Sequence, residues 1–336
     1  MRPMLRRVPA SVALSAALAL VLTACSTPDR RAAAPPKLGS AGSKAAPELP
    51  FDVRPLIHPP KKYFGAAMKG APHSMKAVDD YTVMVGKRPN LIEYHAAWGD
   101  GFDSSGVRKA WESGALTVLS WEPFRTSLAD IADGASDGYI AEYARAVRTL
   151  NLPVAITFAD EMNGFWEEWG TEHATPEEYV RAWRRIHDVF ADVGAANVIW
   201  TWSPNVINPM KKVALRPYYP GDAYVDWVGL VGYFTRVDPP DEFDELFGPT
   251  IAQIRTFSPK PLIVLETAAV PGSRRAADVR QLFKGVSAAR DVVGFVWFNH
   301  KAPRADWRLA KGSEALAEFR RLAAADIYGF DVRKVR

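Results

Sequence analysis

Residues 154–190 read VAITFADEMNGFWEEWGTEHATPEEYVRAWRRIHDVF, and they contain one complete structural unit. An apolar, β-branched run at 154–160 gives way to a loop rich in acids and tryptophan. Thr175-Pro176-Glu177-Glu178 then offers an N-cap, a first-turn proline and a capping-box glutamate. Tyr179, Trp183, Ile186, Val189 and Phe190 follow at helical spacing along one face. The order is strand, loop, helix, and the strand is near-continuously apolar, as strands covered on both faces are.

The same beat recurs along the chain. Comparable runs lie at 62–68, 91–98, 116–122, 198–203, 225–233, 262–267 and 292–299. Tyr139, Tyr143, Ala146, Val147 and Leu150 repeat the helical pattern ahead of the fourth run. Eight such runs with helices between them, in about 275 residues, predict an α/β fold, a (β/α)8 TIM barrel with extended loops. A doubly wound open sheet is the alternative. No Gly-x-Gly-x-x-Gly turn follows the first run, which favours the barrel. The stretch between Val206 and Ala223, rich in proline and tyrosine, reads as a long loop on the active face.

The N-terminus has another character. Arg2, Arg6 and Arg7 precede an apolar stretch from Val12 to Leu22, then Leu22-Thr23-Ala24-Cys25. That is the layout of a secretory signal, too short to span a bilayer stably. Its ending resembles a bacterial lipobox, and the chain has one cysteine, at the position that the motif lipidates. Residues 1–24 are therefore expected to be a lipoprotein signal peptide. Residues 25–60, rich in Ala, Pro, Gly and Ser, are expected to be a flexible linker carrying the lipidated Cys25. The single barrel domain is then placed at 61–336. This implies an extracytoplasmic protein anchored to the cell membrane by lipid.

The chain carries 42 Lys+Arg against 38 Asp+Glu, and three of the arginines fall in the leader. Bulk charge gives no support to nucleic-acid binding. One cysteine excludes a disulfide framework and a Cys-based zinc site. Six scattered histidines without an i,i+4 pair argue against a metal-dependent hydrolase. Neither metal nor cofactor is expected.

In a (β/α)8 barrel the chemistry sits at the C-terminal ends of the strands. Tryptophans and acids gather at or just beyond these ends: Trp98, Trp121, Trp166, Trp169, Trp200, Trp202, Trp297 and Trp307, with Asp160, Glu161 and Glu266. An indole stacks on the apolar face of a pyranose while its N–H donates a hydrogen bond. Trp200, Trp183, Trp111 and Trp227 are assigned instead to packing. Glu161 ends the fourth run, and Glu266 interrupts the apolar seventh, where an ionised carboxylate needs a partner or a task. Glycoside hydrolysis needs two carboxyl groups, one protonated and one ionised. The fourth and seventh strands face each other across the barrel mouth.

Several segments together resemble glycoside hydrolase family 26, the β-mannanase family. They are residues 161–170 (EMNGFWEEWG), 200–205 (WTWSPN), 219–222 (YPGD), 224–230 (YVDWVGL) and Gly232-Tyr233. Lys260-Pro261 leading to Glu266, Trp297-Phe298-Asn299, Lys301 and Asp306-Trp307-Arg308 continue the likeness, which spans about residues 61–325. The resemblance implies a retaining endo-β-glycosidase, most simply on β-1,4-mannan. Glu161 would be the acid/base, Glu266 the nucleophile and Tyr233 a hydrogen-bond partner of the nucleophile. Trp166, Trp202 and Trp297 would line sugar subsites. Trp98, Trp121, Asp160, Asn163 and Trp169 are further candidates for substrate contact, and His95 is a candidate replacement donor. Family members usually carry His just before the acid/base and Arg three residues earlier; here those positions are Asp160 and Thr157. β-1,3-Xylan and mixed-linkage β-glucan are the alternative substrates. A non-catalytic glycan-binding lipoprotein on the same barrel is the alternative role. The expected partners are a poly- or oligosaccharide and, through Cys25, the membrane; the barrel is expected to be a monomer.

Overall fold

The computed structural model describes residues 49–207, 212–236 and 242–335. Cys25, the leader and most of the proposed linker lie outside the described residues. Eight parallel strands close into a barrel in sequence order: β1 Tyr63–Ala67, β2 Leu91–Ala97, β3 Leu116–Glu122, β4 Val154–Phe158, β5 Val198–Trp202, β6 Trp227–Val231, β7 Leu262–Thr267 and β8 Val292–Phe298. β8 pairs with β1 from Tyr63↔Gly294 to Ala67↔Phe298 and completes the ring. Each strand falls within the run expected for it, and the open-sheet alternative is excluded.

Ten helices are described: α1 Arg54–Ile57, α2 Lys76–Val85, α3 Ser104–Glu112, α4 Leu128–Ala132, α5 Asp137–Leu150, α6 Pro176–Val193, α7 Phe243–Leu246, α8 Gly248–Arg255, α9 Arg275–Ala288 and α10 Glu314–Ala323. α6 begins on the predicted capping box. Thr175 Oγ1 accepts from Glu178 N at 3.2 Å, and Glu178 Oε2 accepts from Thr175 N at 2.7 Å. The box satisfies donors that a helix start leaves unpaired.

The two-residue alternation of the strands sorts the core into two layers. Leu91, Leu116, Val118, Ala155, Ile199, Trp227, Ile263, Leu265, Val293 and Val296 fill the barrel interior and its floor. Their neighbours in sequence point outward into the helix layer. Trp121 stacks on Tyr143 of α5, Trp297 meets Phe319 of α10 edge-on, and Trp202 packs on Tyr219 and Phe257.

The domain starts earlier than residue 61. Val53 and Leu56 are buried, and Phe51 packs edge-on against Trp111. Trp227 Nε1 donates to Ile57 O at 2.9 Å, and Tyr63 OH donates to Leu56 O at 2.9 Å. The end of the segment expected to be linker is thus a plug on the barrel floor. Its few apolar residues, diluted among prolines and charges, hid that role.

Candidate active site

The chain leaves β4 through a strained turn. Ala159 and Glu161 both adopt positive φ, 49° and 55°, a region that side chains other than glycine rarely occupy. The turn is held by Glu161 N donating to Ser203 O at 2.8 Å and Gly164 N donating to Glu161 O at 2.7 Å. It presents the Glu161 carboxyl to two donors. Trp166 Nε1 donates to Oε2 at 2.7 Å, and Asn205 Nδ2 donates to Oε1. Burial, and then the charge of Glu266, push the Glu161 carboxyl up to about 7, while these two hydrogen bonds act in the other direction.

Glu266 enters from the opposite side. Leu265 points into the barrel interior, so a regular strand would turn Glu266 out toward the helices. The pairing register shifts on both flanks, between Leu230 and Val231 and between Val264 and Thr267, and the irregularity re-aims the side chain into the mouth. There Tyr233 OH donates to Glu266 Oε1, and His95 Nε2 lies 3.4 Å from Oε2. The Glu266 side chain keeps 13% of its surface exposed, enough for one reacting group to reach it. Its surroundings are acidic. Burial pushes Glu122 up to about 8 and Asp160 up to about 7. Burial pulls the His95 imidazole down, but its contact with Glu266 and the charges of Glu93, Glu266 and Glu122 outweigh this and hold it well above its usual range.

The arrangement therefore offers one carboxyl poised between its protonated and ionised forms, facing a second that is held by a phenol and an imidazole. A model described as Glycosyl hydrolase family 26 matches residues 134–258, the segment from the start of α5 through α8 that contains Glu161 and Tyr233. The chain is 27% identical over 274 residues to Endoglucanase H of Acetivibrio thermocellus, covering 77% of this chain and 30% of that protein. It is 29% identical over 114 residues to Mannan endo-1,4-beta-mannosidase of Bacillus subtilis strain 168, covering 32% of this chain and 30% of that protein. The chain is thus similar to glycosyl hydrolase family 26 over residues 134–258. It spans just under a third of the length of these two relatives. The fold agrees: the catalytic domain of a Bacillus sp. JAMB-750 GH26 endo-beta-1,4-mannanase superposes with TM-score 0.63 at 16% identity, over 83% of this chain and 90% of that one.

Within this barrel, Glu161, Glu266, Tyr233, His95, Asp160 and Trp166 gather at the mouth. Four other expected contacts do not reach it. Trp121, Trp202 and Trp297 are fully buried on the outer face of their strands, where period-two alternation sends the neighbours of inward-facing residues. Trp169 is buried against Phe124, and its Nε1 donates to Asp160 O at 2.6 Å. Asn163 is corrected too. It is fully buried, and its amide exchanges two hydrogen bonds with the backbone of Asn205, 2.9 and 2.8 Å, tying the β4 turn to the end of β5. Trp98 is half-buried and stacked on Trp121 at 4.7 Å, so one of its faces is already covered. Trp166 bonds the acid itself. Of the departures from the family pattern, Thr157 is buried and donates to Ser203 Oγ at 2.9 Å. Asp160 places its Oδ1 in a buried position with no hydrogen-bond partner among the described residues.

Three residues were missed. Asn205 was quoted only as part of a motif, yet its side chain bonds Glu161. At the end of β3, Trp121 and Glu122 cannot both face inward; alternation selects Glu122. Glu93 is an acid in the apolar run Leu91–Ala97, the same signal that marked Glu266. Beside these groups a cavity of about 580 Å³ opens between the ends of β1, β2 and β8. It is lined by Lys69, His73, Glu93, His95, Asp100 and His300 among others. These polar side chains, set in a mostly apolar wall, suit hydroxyl groups, and no tryptophan borders it.

Proposed function

We propose that this chain is a retaining endo-β-glycosidase acting on a β-linked polysaccharide, with Glu161 as acid/base and Glu266 as nucleophile. The observation that carries the reading is the pairing of a carboxyl raised to about 7 with a Tyr233-bonded carboxylate, one on each of two opposed strands. In the first step Glu161 protonates the glycosidic oxygen as that bond breaks, and Glu266 attacks the anomeric carbon to form a glycosyl ester. Esterification removes the Glu266 charge that helps to hold the Glu161 proton. Glu161, now a carboxylate stabilised by Trp166 and Asn205, accepts a proton from water, which displaces Glu266. Retaining chemistry of this kind works with the two carboxyls about 5–5.5 Å apart. Alanine at either glutamate should cut release of reducing ends from the polymer by about 10²-fold or more; wild-type-like activity in either variant would end the assignment.

Mannan is the first substrate reading, from the resemblance of the β4 and β5 segments. A specific observation favours a second. The relative named an endoglucanase matches over 274 residues, whereas the mannosidase from Bacillus subtilis matches over 114. Asp160, where the resemblance leads one to expect an imidazole, also changes which sugar hydroxyl can be read there: its ionised form accepts only. Purified protein on a panel of β-mannans, β-glucans and β-1,3-xylan, with product sizing, separates these readings. Binding without hydrolysis on every polymer would favour the non-catalytic alternative.

The leader and Cys25 support export and lipid anchoring to the cell membrane. Metabolic labelling with a fatty-acid analogue tests this, and Cys25→Ala should release the protein from the membrane fraction. A monomer is proposed for the barrel, to be read by light scattering.

A further inference from the structure

We propose that Glu93 is a positioning residue of this site, acting through His95 to hold the imidazole against the nucleophile. The inference rests on the assignment of Glu266 above. Glu93 and His95 are two residues apart on β2 and so share its inner face, with Glu93 one layer deeper. Only 2% of Glu93 is exposed, so although it borders the cavity beside β2 it offers a sugar almost no surface. Its Oε1 accepts from Ser120 Oγ of β3 at 3.0 Å, while Oε2 is buried with no hydrogen-bond partner among the described residues. Donor and acceptor atoms of Glu93, His95 and Glu266 lie within 4.8 Å of one another, and the His95–Glu266 contact is 3.4 Å. Burying a carboxyl so deeply is costly unless a partner compensates it. The His95 imidazole, within 4.8 Å, is able to do so.

The chemistry gives the arrangement a purpose. While Glu266 is ionised, the imidazole faces two carboxyl groups. When Glu266 becomes an ester its charge vanishes, and Glu93 is left as the close acid beside His95. The ring then keeps a carboxyl partner, and its orientation, through both halves of the cycle. Other groups face the same ring or the same mouth: Glu122 from β3, Asp160 and Glu161 beyond β4, Tyr233 beyond β6, and Phe298 and His300 at the end of β8. Glu93 differs from these acids in being almost fully buried. Burial, then the charge of Glu266, keep its carboxyl well above the ordinary range.

The test has a readout that does not need substrate. In the full chain, NMR titration of the His95 ring should move to lower pH in Glu93→Gln, because a charge partner is lost while the Ser120 contact is kept. On the substrate found by the panel, Glu93→Gln should lower kcat by about ten-fold or more with little change in KM, as loss of an orienting partner does elsewhere. Glu93→Asp should recover most of that loss. In a His95→Asn background, Glu93→Gln should cost nothing further. An unmoved His95 titration, or an equal cost in both backgrounds, overturns the proposal. If Glu93→Gln does not fold, Glu93→Asp replaces it. A smaller shift in the same direction is then expected, and none would overturn the inference. A moved titration in a protein that hydrolyses nothing would sink the glycosidase reading and leave the Glu93–His95 coupling standing.

Discussion

The indole of Trp166 donates to Glu161 Oε2 at 2.7 Å across five residues of the β4 loop. This loop tryptophan therefore tunes the proposed proton donor. A hydrogen bond to the carboxylate favours the ionised form, and here it opposes the burial that raises the group.

Trp166→Phe should accordingly raise the Glu161 pKa above about 7. The alkaline limb of kcat/KM, where Glu161 loses its proton, would move to higher pH. Breakdown of the glycosyl ester should slow by about ten-fold, on the scale of one hydrogen bond to a charged group. A pH profile measured on both proteins checks the sign, and a downward shift would be the wrong direction.

Glu161→Ala removes proton donation but leaves Glu266 and Tyr233 in place. Cleavage of a polysaccharide, whose leaving group needs that proton, should fall by about 10²–10⁴. An activated aryl glycoside, which needs no proton to leave, should retain much more of its first step. Added azide should restore turnover of the aryl substrate and give a β-glycosyl azide. An α-azide product would contradict retention through Glu266.

The barrel and its two glutamates were legible because both signals are local. An apolar run followed by an amphipathic run fixes a βα unit, and an acid interrupting an apolar strand stands out by itself. What escaped was parity. Trp121 and Glu122, or Trp297 and Phe298, are adjacent letters, but alternation gives only one member of each pair to the mouth. At Glu266 a shifted register overrides that same rule, and no residue in 262–267 announces the shift. The plug around Leu56 was also missed, since its burial depends on the distant Trp227.

Parity makes a prediction about the tryptophans. Trp297→Ala and Trp202→Ala should act on stability and not on binding. Each removes a fully buried indole from the sheet–helix interface, a change that costs about 3–5 kcal/mol. A large fall in Tm with KM unchanged is expected at temperatures where the variants remain folded. A wild-type Tm with a raised KM would return these residues to the sugar subsites.

The acidic mouth should also weaken the fold as pH rises. Glu122 has an ordinary value of 4.5 and is pushed up to about 8, first by burial. Between those values the folded chain holds a proton that the unfolded chain has released. Stability must therefore fall as pH increases through this window. Below about 4.5 both states are protonated and the penalty is absent; above about 8 it is complete. Glu122→Gln removes the titrating group while keeping its shape, so its Tm should decline less steeply than that of the wild type between these limits. Thermal melts of both proteins across that range give the comparison. Parallel curves would mean that Glu122 titrates as a solvated acid and contributes nothing to the electrostatics of the site.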